Sequence, residues 1–165
     1  MKLPKRNHLT KSKNFTLDLK KKYKQKTTFK PDGFWYSCHN SWIDWLQDNF
    51  EERLADYIYQ VNLKYGIQTD LHHPDPNKLL VIKNSKELDA FHNKYFIKKT
   101  HMLIDWKRVS QDFGGIEICP YLQKSRFKYN WYYTFDVSGG CIWNLKTIVS
   151  TNLIYHKIDN KYVKI

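Results

Sequence analysis

The residues best placed to do chemistry are one carboxylate and a scattered set of aromatic and hydroxyl groups. Glu117 lies in Phe113-Gly-Gly-Ile-Glu-Ile-Cys-Pro-Tyr121, a short apolar run that reads as a buried strand. Alternation puts Glu117 on one face and Ile116 and Ile118 on the other. A carboxylate in such a strand is costly to bury charged, so it needs a partner, a solvent-lined cleft or a reacting group beside it. Trp131-Tyr-Tyr-Thr-Phe-Asp136 and Ser138-Gly-Gly-Cys-Ile-Trp143 follow, and the first of these reads as an aromatic wall around the acid. Upstream, Asn7-His8-Leu-Thr10 offers an imidazole and a hydroxyl. Phe34-Trp-Tyr-Ser37 with Ser41-Trp42 brings an aromatic strand end, a hydroxyl and a helix start together.

Other chemistries find little support. Cys38, Cys119 and Cys141 are odd in number and have no C-x-x-C spacing, which argues against a disulfide framework and a thiolate zinc site. Cys119 and Cys141 read as inert core thiols. His72 and His73 are adjacent, precede a proline and lack metal-ligand spacing, so they read as an exposed loop pair and no metal is expected. Ser138-Gly139-Gly140 reads as a hairpin turn or bulge, not a phosphate loop.

These groups need a scaffold, and the pattern predicts one. Pro31-Asp-Gly33 is a turn before a short strand, and Asn40 or Ser41 caps a helix with Trp42, Trp45, Leu46 and Phe50 at helical spacing. Residues 55–64 alternate as a half-buried strand, and Leu79–Ile82 is another. Asn84-x-x-Glu87 opens a helix carrying Leu88, Phe91 and Tyr95. Asp105 caps a third helix, closed by Gly114-Gly115. Strands follow at 116–119, 131–136 and 141–149, then a hairpin turning at Asp159-Asn160. The expectation is one α+β domain over residues 1–165, mostly antiparallel with a few short helices.

Charge is concentrated at one end. Of the formal +12, residues 1–30 supply eleven Lys/Arg and one acid, Asp18. A basic segment of this kind either binds phosphate backbones or stays solvated. No apolar leader or membrane-length run is present, so a cytoplasmic protein is expected, in the host cytoplasm if the source is viral. The oligomeric state, monomer or otherwise, is left open.

The order of His-x-Thr10, Gly33-Phe-Trp-Tyr-Ser-x-x-x-Ser-Trp42 and a strand bearing Glu117 resembles the ADP-ribosyltransferase fold, in the branch with a His–Tyr–Glu motif. That resemblance implies a split sheet, NAD as substrate, cleavage of the nicotinamide N-glycosidic bond and transfer of ADP-ribose to a protein or nucleic acid. Carried over, His8 and Thr10 would grip a ribose, Tyr36 or Trp42 would stack on nicotinamide, Ser37 would support the site and Glu117 would be the catalytic acid. Tyr121, Arg126, Trp131 and Tyr133 would contact substrate. The chain departs from the family at Leu9, where a Gly is usual.

A fuller pattern, Lys30-Pro-x-Gly-Phe-Trp-x-Ser37, Ile104-Asp-Trp106, Gly115-Ile-Glu-Ile-x-Pro-Tyr121 and Trp131-Tyr-Tyr-x-x-Asp-x-x-Ser-Gly-Gly-Cys-Ile-Trp143, resembles uncharacterised proteins of phages, bacteria and large viruses. Three readings follow: an NAD-dependent transferase, a basic nucleic-acid-binding protein without catalysis, and a degenerate transferase fold that only binds.

Overall fold

The computed structural model describes residues 1–100 and 103–165. Eleven strands and four helices occur among them: β1 (Arg6–Thr10), β2 (Thr27–Thr28), β3 (Phe34–Cys38), α1 (Ser41–Asn49), β4 (Tyr57–Leu63), β5 (Gln68–Thr69), β6 (Asp75–Ile82), α2 (Ser85–Tyr95), β7 (Ile104–Asp105), α3 (Trp106–Asp112), β8 (Phe113–Ile118), α4 (Asn130–Tyr133), β9 (Gly139–Ile142), β10 (Ile148–Ile158) and β11 (Lys161–Lys164). Nine strands form one mixed sheet in the order β11-β10-β4-β1-β3-β9-β8-β6-β5, and β2 pairs with β7 beside it. The β5–β6 and β6–β8 pairs are parallel, and every other pair is antiparallel. The architecture is a single α+β domain, as the element pattern implies. No helix among the described residues is long and apolar enough to cross a membrane.

The register sorts the side chains onto two faces, because residues paired across a ladder point the same way and neighbours along a strand point oppositely. Asn7, Trp35, Ser37, Gly139, Cys141, Ile116, Ile118, Leu80 and Ile82 share one face. It is covered at one end by α2, α3 and the segment around α4, through Leu88, Phe91, Trp106, Val109 and Trp131. At the other end α1 covers it, with Ile43 and Leu46 against Leu3 and Ile58. This is called the helical face below. The opposite face carries Tyr36, Glu117, Gly140, Ile142, Leu79 and Val81. An irregular strap from the stretch 11–26 covers it with Phe15, Leu17 and Tyr23.

Local signals explain most elements. Asn84 Oδ1 accepts from the Glu87 N–H at 2.9 Å, and Glu87 Oε2 accepts from the Lys83 N–H at 2.7 Å, so the expected capping pair forms one residue out of register on its return arm. Asp105 Oδ1 accepts from the Arg108 N–H at 3.0 Å and starts α3. Asp159 and Asn160 both adopt positive φ (47° and 60°), the turn geometry expected between β10 and β11.

Four expectations need correction. Gly114 and Gly115 do not close α3; they are strand residues of β8, where a Cβ on Gly114 would come within 2.8 Å of the Pro76 carbonyl. Residues 131–136 are not a strand: Asn130–Tyr133 is one helical turn, which drives Trp131 and Tyr132 into the core. Gly139 and Gly140 lie within β9 and not in a turn, and the 141–149 stretch divides between β9 and β10. The basic segment over the first thirty residues is built into this domain. Leu3 is buried under α1, and β1 lies near the centre of the sheet between β3 and β4. Removing residues 1–26 would take away a central strand and its two ladders, so such a truncation reports folding, not binding.

Candidate functional site

Glu117 is fully buried on the strapped face, and both of its oxygens are already engaged. Arg6 Nε donates to Oε2 at 2.6 Å and Arg6 Nη2 to Oε1 at 3.2 Å. The Tyr36 hydroxyl donates to Oε2 at 2.6 Å, and Lys5 Nζ lies 3.1 Å from Oε1. Burial alone pushes this carboxyl up, but the Arg6 guanidinium, the Tyr36 hydroxyl and the Lys5 ammonium outweigh it and hold the acid below its ordinary range. Arg6 is correspondingly raised: burial lowers it, and the bond to Glu117 more than compensates. The Tyr36 phenol is pushed far up by burial and by the neighbouring carboxylate, so it stays protonated. The cluster is a charge-assisted, bidentate network joining β1, β3 and β8 across the sheet.

Gly140 makes that network possible. It lies between Glu117 and Tyr36 in the ladder, and a Cβ there would overlap the Tyr36 ring. The missing side chain lets the phenol cross β9 to reach the carboxylate. Gly140→Ala is expected to push the ring off its acceptor and cost about 1–3 kcal/mol, the usual range for overpacking. A denaturant midpoint equal to that of the wild type would remove this role.

His8 lies on the same face, with Gly140 and Tyr36 between it and Glu117. Continuing the ladder puts three strand spacings, roughly 14 Å, between the two residues. Its ring packs 4.6 Å from both Phe15 and Phe34, and its Nδ1–H donates to the Trp35 carbonyl at 2.8 Å. Burial lowers its pKa, partly offset by that carbonyl. The imidazole does not face the acid across an opening. Thr10 ends β1, where its Oγ1 accepts from the Ser12 N–H at 3.1 Å.

The open space lies on the other face. A cavity of about 290 Å³ sits over β1 and β3, between the first turn of α1 and the segment after α4. Its aromatic and aliphatic walls are Trp35, Trp42, Phe135, Leu9 and Val137, and its polar side chains are Asn7, Ser37 and Lys30. His8 and Tyr36 border it as well, but their side chains point to the opposite face, so their main chain does the bordering. Trp42 is braced by Trp45, stacked at 5.0 Å, and Trp35 by an edge contact with Phe135 at 5.3 Å. Ser41 Oγ donates to the Ser138 carbonyl at 2.8 Å, which ties the start of α1 to the opposite wall.

Asn7 is fully buried, and its Nδ2 gives hydrogens to the Pro4 carbonyl at 2.7 Å and the His39 carbonyl at 3.1 Å. That fixes the amide orientation and leaves Oδ1 with no partner in the protein. Such a buried acceptor costs about 1–3 kcal/mol.

The remaining expected contacts divide. Trp131 is fully buried among α2 and α3 and donates from Nε1 to His92 Nδ1 at 3.1 Å, so it walls neither Glu117 nor the cavity. The hydroxyl of buried Tyr132 accepts from the Leu122 N–H at 2.7 Å. The anticipated ring of indoles and phenols about Glu117 is therefore absent, because alternation and the α4 turn send those rings to the helical side. Arg126 and Tyr133 do meet, with the guanidinium 4.7 Å from the Tyr133 ring, on the stretch that leads to the cavity wall at Phe135, whereas Tyr121 stacks on Tyr132 at 5.0 Å. His72 and His73 are exposed, with His73 Nδ1 2.9 Å from Asp70 Oδ1.

Lys30, Trp35 and Asn7 are cavity residues that motif matching left unassigned. Lys30 and Trp35 stood inside the recognised Lys-Pro-x-Gly-Phe-Trp-x-Ser pattern, whereas nothing in the order of residues marked Asn7. Comparison with known proteins gives no match to this chain among protein-family models, curated proteins or solved structures.

Proposed function

We propose that this protein is a nucleotide-binding module whose base site is the cavity between α1 and the α4 segment. The observation that carries this reading is the lining: two braced indoles, Trp35 and Trp42, with Asn7, Ser37 and Lys30 as the polar residues. Largely apolar walls with a few placed polar groups are what a small planar ligand requires. Indoles stack on any base, and Lys30 suits a phosphate.

This is the binding-only form of the transferase resemblance, with NAD as one ligand of the class. It differs from the catalytic form in the part given to Glu117. A catalytic acid must offer an oxygen to the ribose, and the oxygens of Glu117 are held by Arg6, Lys5 and Tyr36 on the face away from the cavity. The expected result is that adenosine monophosphate and NAD each raise the melting temperature and quench tryptophan emission, while NAD releases no nicotinamide. Nicotinamide release that stops in a folded Glu117→Gln variant would replace this reading with catalysis. Failure of every nucleotide to shift either signal would end it.

A further inference from the structure

Beside the cavity lies a second aromatic surface that the base site does not use. Phe127 is 83% exposed and Tyr133 is 45% exposed, with ring centroids 5.9 Å apart. The Arg126 guanidinium lies 4.7 Å above the Tyr133 ring and 5.7 Å from that of Phe127. Arg126 Nε is shielded from solvent and has no hydrogen-bond partner, and the Tyr121 hydroxyl is in the same condition. Tyr121 itself stacks on Tyr132 at 5.0 Å. A planar cation resting on one half-exposed ring, next to a nearly free phenyl group, forms a platform that folding does not require.

The platform adjoins the cavity through the chain and through charge. Tyr133 precedes Phe135 by two residues, and Phe135 and Val137 are cavity walls. Between them Asp136 adopts a left-handed φ of 61° and lies 3.8 Å from Lys30 Nζ, which is itself 5.6 Å from the Trp35 ring centroid. Burial raises the Tyr121 phenol, with the Arg126 cation opposing it. The stretch from Pro120 to Asn130 carries Lys124, Arg126 and Lys128 and no acid.

We infer that the platform is a second base-stacking subsite and that the ligand is single-stranded nucleic acid, one base entering the Trp35/Trp42 cavity and a neighbouring base stacking on Phe127, Tyr133 and Arg126. The occupant follows from the chemistry: exposed rings stack on bases without regard to sequence, and Arg126 and Lys124 add the positive charge that a phosphate backbone requires. A hydrophobic peptide would not call for the Arg126 cation against the exposed rings or for Lys124 nearby in the chain. This inference rests on the nucleotide reading for its first base alone.

The test uses the full chain with adenosine monophosphate and with fluorescent eight-nucleotide single strands of DNA and of RNA. Phe127→Ala and Arg126→Met are expected to weaken the eight-mers roughly tenfold or more, and to leave the monophosphate affinity unchanged. Arg126→Met should also flatten the dependence of affinity on salt by about one phosphate contact. Because Phe127 is mostly exposed, its loss should not disturb folding. Eight-mer binding that ignores both substitutions would overturn the platform while leaving the cavity reading intact. Monophosphate failure with platform-dependent eight-mer binding would overturn the cavity reading and keep the platform. No eight-mer binding at all would overturn the inference. A preference between the DNA and RNA strands identifies which of the two is the ligand.

Discussion

Glu117→Gln is expected to lower the melting temperature by roughly 6–12 °C, following a loss of about 3 kcal/mol in a domain of this size. The amide cannot neutralise Arg6 and Lys5, and Arg6 is left largely buried beside them with its counter-charge gone. The magnitude sits at the low end for breaking a buried pair, because Lys5 is partly solvated. Replacing both partners together, Arg6→Met with Glu117→Leu, should recover part of the loss, since no charge is then stranded. The sign of the pH dependence follows from the lowered carboxyl. Its contribution is complete above the unfolded-state value, about 4.3, and disappears as pH falls through the lower folded value. Acid titration of the melting temperature should therefore show a component below about pH 4 in the wild type that the Gln variant lacks. An unchanged melting temperature in Glu117→Gln would refute the structural role and return the residue to candidate chemistry.

The second large effect concerns the cavity. Trp42→Ala is expected to weaken adenosine monophosphate roughly 5- to 150-fold, the equivalent of about 1–3 kcal/mol of stacking on one base. Trp42 is only partly buried and rests on Trp45, so the fold should survive its truncation better than that of a core indole such as Trp106. Trp35→Ala should act in the same direction on affinity, with some loss of stability from its contact with Phe135. Lys30→Met should weaken the monophosphate more than adenosine, because the ammonium is assigned to the phosphate. Isothermal titration of the three variants checks all of this. Wild-type affinity in Trp42→Ala would exclude the cavity as the base site.

The two variants separate the two faces of the sheet. A protein that used Glu117 on a ligand in the cavity would show both effects in one substitution. Here stability should follow Glu117 and affinity should follow Trp42, because a strand side chain cannot occupy both sides of the ladder.

Several features were legible in the chain itself. The helix starts at Asn84 and Asp105, a strand within residues 55–64, the burial of Glu117 among Ile116 and Ile118 and the turn at Asp159-Asn160 all follow from local geometry, and each appears in the structure, although β4 is buried on both faces through Ile58 and Tyr59 and not on one. Local rules set them because caps, periodicity and turns involve neighbours only a few residues apart. What Glu117 is buried against was not legible: Arg6 lies 111 residues away, and only the β1–β3–β9–β8 order brings the two together. The same order carries His8 to the strapped face and Trp35 and Ser37 to the cavity. The α4 turn, four residues long, has too weak a local signal to distinguish from a strand, and it decides where Trp131, Tyr132 and Tyr133 point. Local physics thus determined the starts of α2 and α3, the last hairpin turn and the burial of the strand that carries Glu117. Tertiary pairing alone decided which face each reached, and hence that the acid closes a buried ion pair while the indoles line an open cavity.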